Sequence, residues 1–174
     1  MDLNTLANYA DILAIPLAII GLVLIIRQLN LALAESEREH LRRQKEMTLK
    51  AYGAIRGDLR KYVKNIRNML ELEDMFAPVT QEHLNQILSD KRLRHEVIKM
   101  LGIVNKFAVG IKHDVFNIEL VNDLAGRLFI ETYNQFEPYI KYVRKDSPNF
   151  YIEYERLVER LKQMQDEDNG QVIF

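Results

Sequence analysis

Two short stretches of the chain hold histidine and glutamate at spacings that metal chemistry uses. In RHEVIK, Arg94 to Lys99, a His is followed directly by a Glu, as in the first half of a zinc-protease helix. That chemistry needs a second His four residues after His95, one helical turn on, so that both imidazoles reach the same ion. Lys99 stands there instead. In EREH, Glu37 and His40 make an acid-x-x-His pair of the sort found in di-iron helical proteins. Such a centre takes two of these pairs and two further inward carboxylates, and only one pair is present here. The four His lie in separate segments and the chain has no Cys, so neither a metal nor any other cofactor is expected. His113 reads as a helix end, where its protonated form suits the local dipole. There is no Gly-rich phosphate loop and no G-x-S-x-G, so no catalytic residue is assigned. An enzyme with an unrecognised site ranks third among the functional readings.

Charge offers more than catalysis does. The formal net charge is only −1, yet the segment from Arg27 to Arg67 carries eleven basic and five acidic residues, while the tail from Asp146 onward is acidic. Phosphate neutralisation needs little more than positive charge, so a nucleic-acid face is conceivable. The run begins directly after an apolar stretch, however, and there a solvated face obeying the positive-inside bias is favoured. Attraction to anionic lipid, at about 1 kcal/mol per basic residue near the surface, comes second. The candidate lipid-headgroup contacts are Arg27, Arg38, Arg42, Arg43 and Lys45. Arg144, beside a Tyr-rich segment, is the candidate for an anion or partner contact, because a fixed guanidinium takes carboxylate or phosphate oxygens bidentately. With no Cys and no Trp, disulfides and thiolate metal sites are excluded, and a reducing compartment suits the bulk of the protein.

The apolar stretch itself decides placement. From Ile12 to Ile26 no side chain is charged. Fifteen residues span only about 22 Å as a helix, short of the ~30 Å hydrocarbon layer. Leu6, Ala7, Tyr9 and Ala10 extend it at one end past Asp11, and Leu29, Leu31 and Leu33 extend it at the other past Arg27, which can snorkel. Eleven Leu, Ile and Val residues contribute on the order of −3 to −6 kcal/mol, against small edge costs for Asp11 and Arg27 and modest ones for Pro16 and Gly21. Insertion wins. No Lys or Arg precedes the stretch, whereas Arg27, Arg38, Arg42, Arg43, Lys45 and Lys50 follow it, so the C-terminal part belongs in the cytoplasm and the N-terminus outside. A buried soluble helix and a signal peptide cleaved near Ala32-Leu33-Ala34 are the competitors. The signal peptide lacks a basic n-region.

Beyond the apolar stretch, Glu35 to Glu46 is nearly all polar and reads as a solvated helical stalk. From Thr48 a spacing of three and four sets in, with Tyr52, Ile55, Leu59, Tyr62, Ile66 and Met69 on one face. Gly53 and Gly57 either weaken this helix or admit a close neighbour. Pro78 and Thr80 predict the start of a short helix reaching about Leu88. A longer helix from about Asp90 turns Leu93, Val97, Met100 or Leu101, Val104, Phe107 or Ala108, and Ile111 inward. Asn117 is the expected cap of the next helix, with Leu120, Leu124, Leu128, Tyr133 and Phe136 inward, and Pro138 predicts a kink or a new start. Ser147 and Pro148 predict the start of the last helix, whose stripe is Tyr151, Tyr154, Leu157, Val158 and Leu161. No strand pattern stands out.

The motifs NKFAVGIKHDVFN, FEPYIKYVRK and YIEYERLVERL resemble those of a bacterial and phage family known only as a domain of unknown function. Its members often pair an N-terminal membrane segment with a small helical cytoplasmic domain. The resemblance runs from about Leu93 to Leu161. It rests on Ala108, Val109, Gly110 and Ile111, on Pro138, Ile140 and Arg144, and on Tyr151, Tyr154 and Leu157. Where family members often carry a Glu ahead of the A-x-G-I stretch, this chain has Asn105 and Lys106. No activity comes with the resemblance.

The expected architecture is all-α. An N-terminal transmembrane helix (1–34) continues into a polar juxtamembrane stalk (35–47), a cytoplasmic helical bundle of about four or five helices (48–165) and an acidic flexible tail (166–174). The expected location is the bacterial cytoplasmic membrane, and the expected partners are membrane lipid and a protein partner or second copy, with nucleic acid disfavoured. The leading functional reading is a membrane-anchored interaction or regulatory module, self-associating through the stalk and the heptad-like face. Second is a phage-related defence or exclusion effector acting on the membrane.

Overall fold

A computed structural model describes the backbone of residues 3–72, 74 and 76–171 and the side chains of residues 16, 18–72, 74 and 76–167. The described residues form five helices and no strand: α1 (Leu3–Met69), α2 (Gln81–Ser89), α3 (Lys91–Lys112), α4 (Ile118–Arg144) and α5 (Ile152–Gln171). The chain divides into two compact units, Met1–Arg43 and Gln44–Phe174, with α1 contributing to both. The first unit is helix alone, and its described apolar side chains face outward. The expectations that fall on the side chains of residues 1–15, Asp11 among them, lie outside the described residues.

In the second unit the starts of α2, α3 and α4 are each fixed by a side chain that satisfies otherwise orphaned backbone N–H groups. Thr80 Oγ1 accepts from the His83 N–H at 3.2 Å and His83 Nδ1 accepts from the Thr80 N–H at 3.3 Å, a capping box in which His takes the place of Glu. Asp90 closes α2 by donating its N–H to Gln86 O. It also opens α3 by accepting from the N–H groups of Arg92 (2.7 Å) and Leu93 (3.2 Å). Asn117 caps α4 through Oδ1 at 2.8 Å from the Leu120 N–H, as its sequence position predicts. The buried Asn117 N–H is met by Thr48 Oγ1 at 2.9 Å, and Thr48 in turn donates to Gln44 O. Gln44 Nε2 donates to Asp114 O at 2.6 Å, so α1 is latched to the α3–α4 turn where it enters the second unit.

The core is built from one face of each helix. The inward stripe expected of α3 is buried in full, and so is that of α5. The 3–4 spacing of Tyr52 to Met69 is also used here: Leu59 and Ile66 are buried, and Tyr52, Ile55, Tyr62 and Met69 pack partly buried against them. Tyr154 is fully buried and donates its hydroxyl to Phe129 O at 2.7 Å. Its ring meets Tyr133 edge to face, with centroids 5.3 Å apart. Phe107 stacks on Phe116 and meets Phe129 edge on. Phe116 reaches Phe107 because Gly110 has no Cβ, since a methyl there would overlap the Phe116 ring.

Four expectations are revised or narrowed. On α4, Tyr133 and Phe136 are buried, but Leu120, Leu124 and Leu128 are only half-buried. The inward face is Val121, Ala125, Phe129 and Ile130, because Phe129 meets Phe107 of α3 and its carbonyl takes the Tyr154 hydroxyl, which turns the leucines to the flanks. Of the two outcomes expected at Pro138, the new start does not occur: the helix runs on to Arg144 while Tyr139 and Ile140 pack in the core. The last helix starts at Ile152 rather than after Ser147. Ser147 N–H still bonds back to Val143 O, and Tyr151 takes a left-handed φ of 57° before α5 begins. Gly53 and Gly57 face open space, so they admit no close neighbour.

Candidate functional site

The described apolar surface of the first unit is unlike that of any folded interior. Ile19, Ile20, Leu22, Val23, Leu24, Ile25, Ile26, Leu29, Leu31 and Leu33 are each between 50% and 63% exposed. These residues lie in a helix long and apolar enough to cross a membrane, and none of its apolar window is buried within the chain. The alternative of a soluble core helix therefore finds no packing partner in this unit. Arg27 and Arg38 are exposed with no partner among the described residues, which leaves their charge available to headgroups. Arg43 pairs with Glu39 one turn before it, both exposed, and Arg42 is also engaged. Lys45 belongs to the second unit and is exposed.

Arg144 meets a carboxylate, but the carboxylate is the chain's own. Its Nη1 donates to Glu155 Oε2 at 2.9 Å and its Nε to Phe150 O at 2.8 Å. The other Glu155 oxygen accepts from the Tyr133 hydroxyl at 2.8 Å. Burial, followed by the bond to Glu155, raises the Tyr133 pKa well above the usual phenol value. The guanidinium thus ties the end of α4 to the start of α5 across the 145–151 turn. Only its Nη2 is left, buried and without a partner. This geometry assigns Arg144 to holding a turn rather than to capturing an outside anion.

The histidines are not brought together. His40 is exposed in the first unit, His95 is exposed on α3, His83 caps α2 and His113 caps the end of α3. No group of three or more His, Cys, Asp or Glu side chains placed to hold a metal ion occurs among the described residues.

The second unit does contain a groove of about 720 Å³ between α1 and α4. Arg56, Arg60, Lys64 and Arg67 line it from α1, and Arg127 lines it from α4; of these, Arg67 is already engaged, its Nε donating to Leu72 O at 3.1 Å. Its floor is apolar: Leu59 is buried, and Val63, Phe76 and Leu128 are half-buried. The α1 cations are part of the basic run visible in the sequence. Arg127 is not, and its signal is weak, since it is a single cation in a helix whose neighbours Asp123 and Glu131 balance it on paper.

The family model described as Domain of unknown function (DUF4760) matches residues 15–161. The chain belongs to the DUF4760 family. No curated protein and no solved structure matches it. The DUF4760 match starts inside the apolar stretch, just before Pro16, and ends at Leu161, which is buried in α5. It therefore treats the exposed apolar helix, the polar run and the helical unit as one family feature, a wider span than the Leu93–Leu161 motifs alone suggest. All five cations that line the groove lie inside it.

Proposed function

We propose that this protein is a single-pass protein of a bacterial cytoplasmic membrane, with its N-terminus outside and a cytoplasmic helical bundle. In this reading it serves as an interaction or regulatory module that holds a protein partner, or a second copy, at the membrane surface. The observation that carries the proposal is the uninterrupted exposure of the apolar side chains from Ile19 to Leu33. Apolar area left in water costs about 25 cal/mol per Å², and hydrocarbon removes that cost. The charge distribution supports the orientation, since the basic residues all follow the stretch. Confinement to a surface raises the effective concentration of anything else held there, which is the physical advantage such a module gains.

Self-association through the Tyr52–Met69 face is not retained in the proposal, because that face packs inside its own unit. The absence of native Cys makes the topology directly testable. Single cysteines are introduced as Asn4→Cys and, at an exposed position of α3, Lys106→Cys. In intact cells a membrane-impermeant maleimide is expected to label the first variant only, and the second after permeabilisation. Labelling of Lys106→Cys in intact cells, or recovery of the chain in the soluble fraction without detergent, overturns the proposal.

A further inference from the structure

We infer that the groove between α1 and α4 binds a water-soluble organic anion, a phosphate or carboxylate carried on an aromatic or short alkyl body. The first ground is charge. Arg56, Arg60 and Lys64 follow one another at four-residue spacing, which places them on one side of α1, and Arg127 faces them from α4. None of the four has an ion-pair or hydrogen-bond partner among the described residues, and no carboxylate among those residues lines the groove. Elsewhere in the unit cations meet acids across helices, as in Lys112–Glu153 and Arg144–Glu155. Like charges at helical spacing repel, so this wall gains when an anion enters and the paired walls do not.

The second ground is the floor. A site meant for inorganic anions alone has no use for Leu59, Val63, Phe76 and Leu128 beneath its cations. A ligand with an apolar body covers them while its head meets the guanidinium groups. Size narrows the class further. The groove's ~720 Å³ falls within the roughly 300–1,000 Å³ typical of small-ligand sites. From Tyr52 to Asn68 the α1 wall is about 24 Å long at ~1.5 Å per residue, and a partner helix ~10 Å across lying along it would need about 1,900 Å³. The whole empty space of the groove, open mouth included, is about 1,430 Å³, so a compact body fills it more completely than a helix lying along the wall would. A nucleic-acid backbone would use the cations and leave the apolar floor unused.

The test uses the full chain in neutral phosphatidylcholine nanodiscs and 1-naphthyl phosphate, read by probe fluorescence anisotropy, which the Trp-free chain does not obscure. Saturable binding is expected, with inorganic phosphate and 1-naphthol, the head and the body alone, each competing at least about a hundredfold more weakly. The double variant Arg60→Gln/Arg127→Gln should weaken binding at least about tenfold, while Lys91→Gln, an exposed cation at the start of α3, should leave it unchanged. If the double variant loses helix by circular dichroism, Arg56→Gln/Lys64→Gln reads the same effect from the α1 wall alone. Equal affinity in the wild type and in whichever double variant stays folded overturns the inference, as does inorganic phosphate competing as well as the probe. Failure of the probe alongside tight binding of an acidic amphipathic peptide that depends on the same four cations also overturns it. The outcome is independent of the membrane topology, because the groove lies wholly within the second unit.

Discussion

Placing a charge in the exposed apolar stretch separates a membrane helix from a misplaced core helix. Leu22 lies near the middle of the stretch and is 57% exposed, with no packing inside the chain to lose. Replacing it with Lys exchanges about −0.5 kcal/mol of insertion energy for about +3 kcal/mol at the helix centre, a change of roughly 3–4 kcal/mol or two to three decades in partition. The eleven Leu, Ile and Val residues supply only on the order of −3 to −6 kcal/mol before edge costs. One Lys therefore makes insertion marginal, and Leu22→Lys with Ile25→Lys, at ~6–8 kcal/mol, should abolish it. The assay has two readings: the fraction of chain retained in carbonate-washed membranes, and the circular dichroism and melting of what is released. The double variant is expected to leave the membrane with the helical unit still folded. Retention at the wild-type level refutes the insertion argument. Release with collapse of the helical unit refutes it differently, by showing that the stretch was packed against the rest of the protein.

Three further predictions concern the helical unit. Gly110→Ala should cost about 1–3 kcal/mol in denaturant unfolding of the full chain, because the added methyl displaces the Phe116 ring from its stack on Phe107. Gly102→Ala, where nothing lies within reach of a Cβ, should be neutral or stabilising. Tyr154→Phe should cost about 1–2 kcal/mol, since it removes a buried hydrogen bond to Phe129 O while leaving the ring in place. Alkaline pH should destabilise the unit. Burial raises the Tyr151 pKa from 10.0 to about 12 and raises Tyr154 as well, so the folded state keeps protons that the unfolded state has released. Stability is then fully present below pH ~10 and falls as pH rises from there through about 12. Tyr151→Phe should flatten that decline, measured as melting temperature against pH and compared with tyrosinate absorbance.

The parts of the fold legible in the sequence are those set by local chemistry. Asn117 and Asp90 act as caps because a short polar side chain before an apolar run has few better uses, and the α3 stripe follows from its own 3–4 spacing. What escaped depends on partners far along the chain. Leu120, Leu124 and Leu128 form as good a stripe as the residues beside them. The choice between the two faces is made by Phe129, whose ring meets Phe107 and whose carbonyl accepts from Tyr154, both far along the chain. Ser147-Pro148 looks like a helix start until Arg144 reaches across to Phe150 O and Glu155 and holds the intervening residues as a turn. For the groove, the basic run on α1 was visible while Arg127 was not. Nothing local distinguishes a surface cation facing solvent from one that shares a cleft with the cations of another helix.

Gln135 gives the groove a property that follows from neither its charge nor its size. From α4, the Gln135 backbone carbonyl accepts from the Val79 N–H at 3.1 Å and its side chain donates to Ala77 O at 2.9 Å. The chain on the C-terminal side of Phe76 is thereby buckled onto α4 at two points, and Phe76 is presented to the groove by a backbone already in place. An incoming molecule finds that part of the wall assembled in advance, so little of its binding energy is diverted into freezing a floppy rim. Removing the side-chain point of the buckle, as in Gln135→Ala, would slacken Phe76 without touching a single cation.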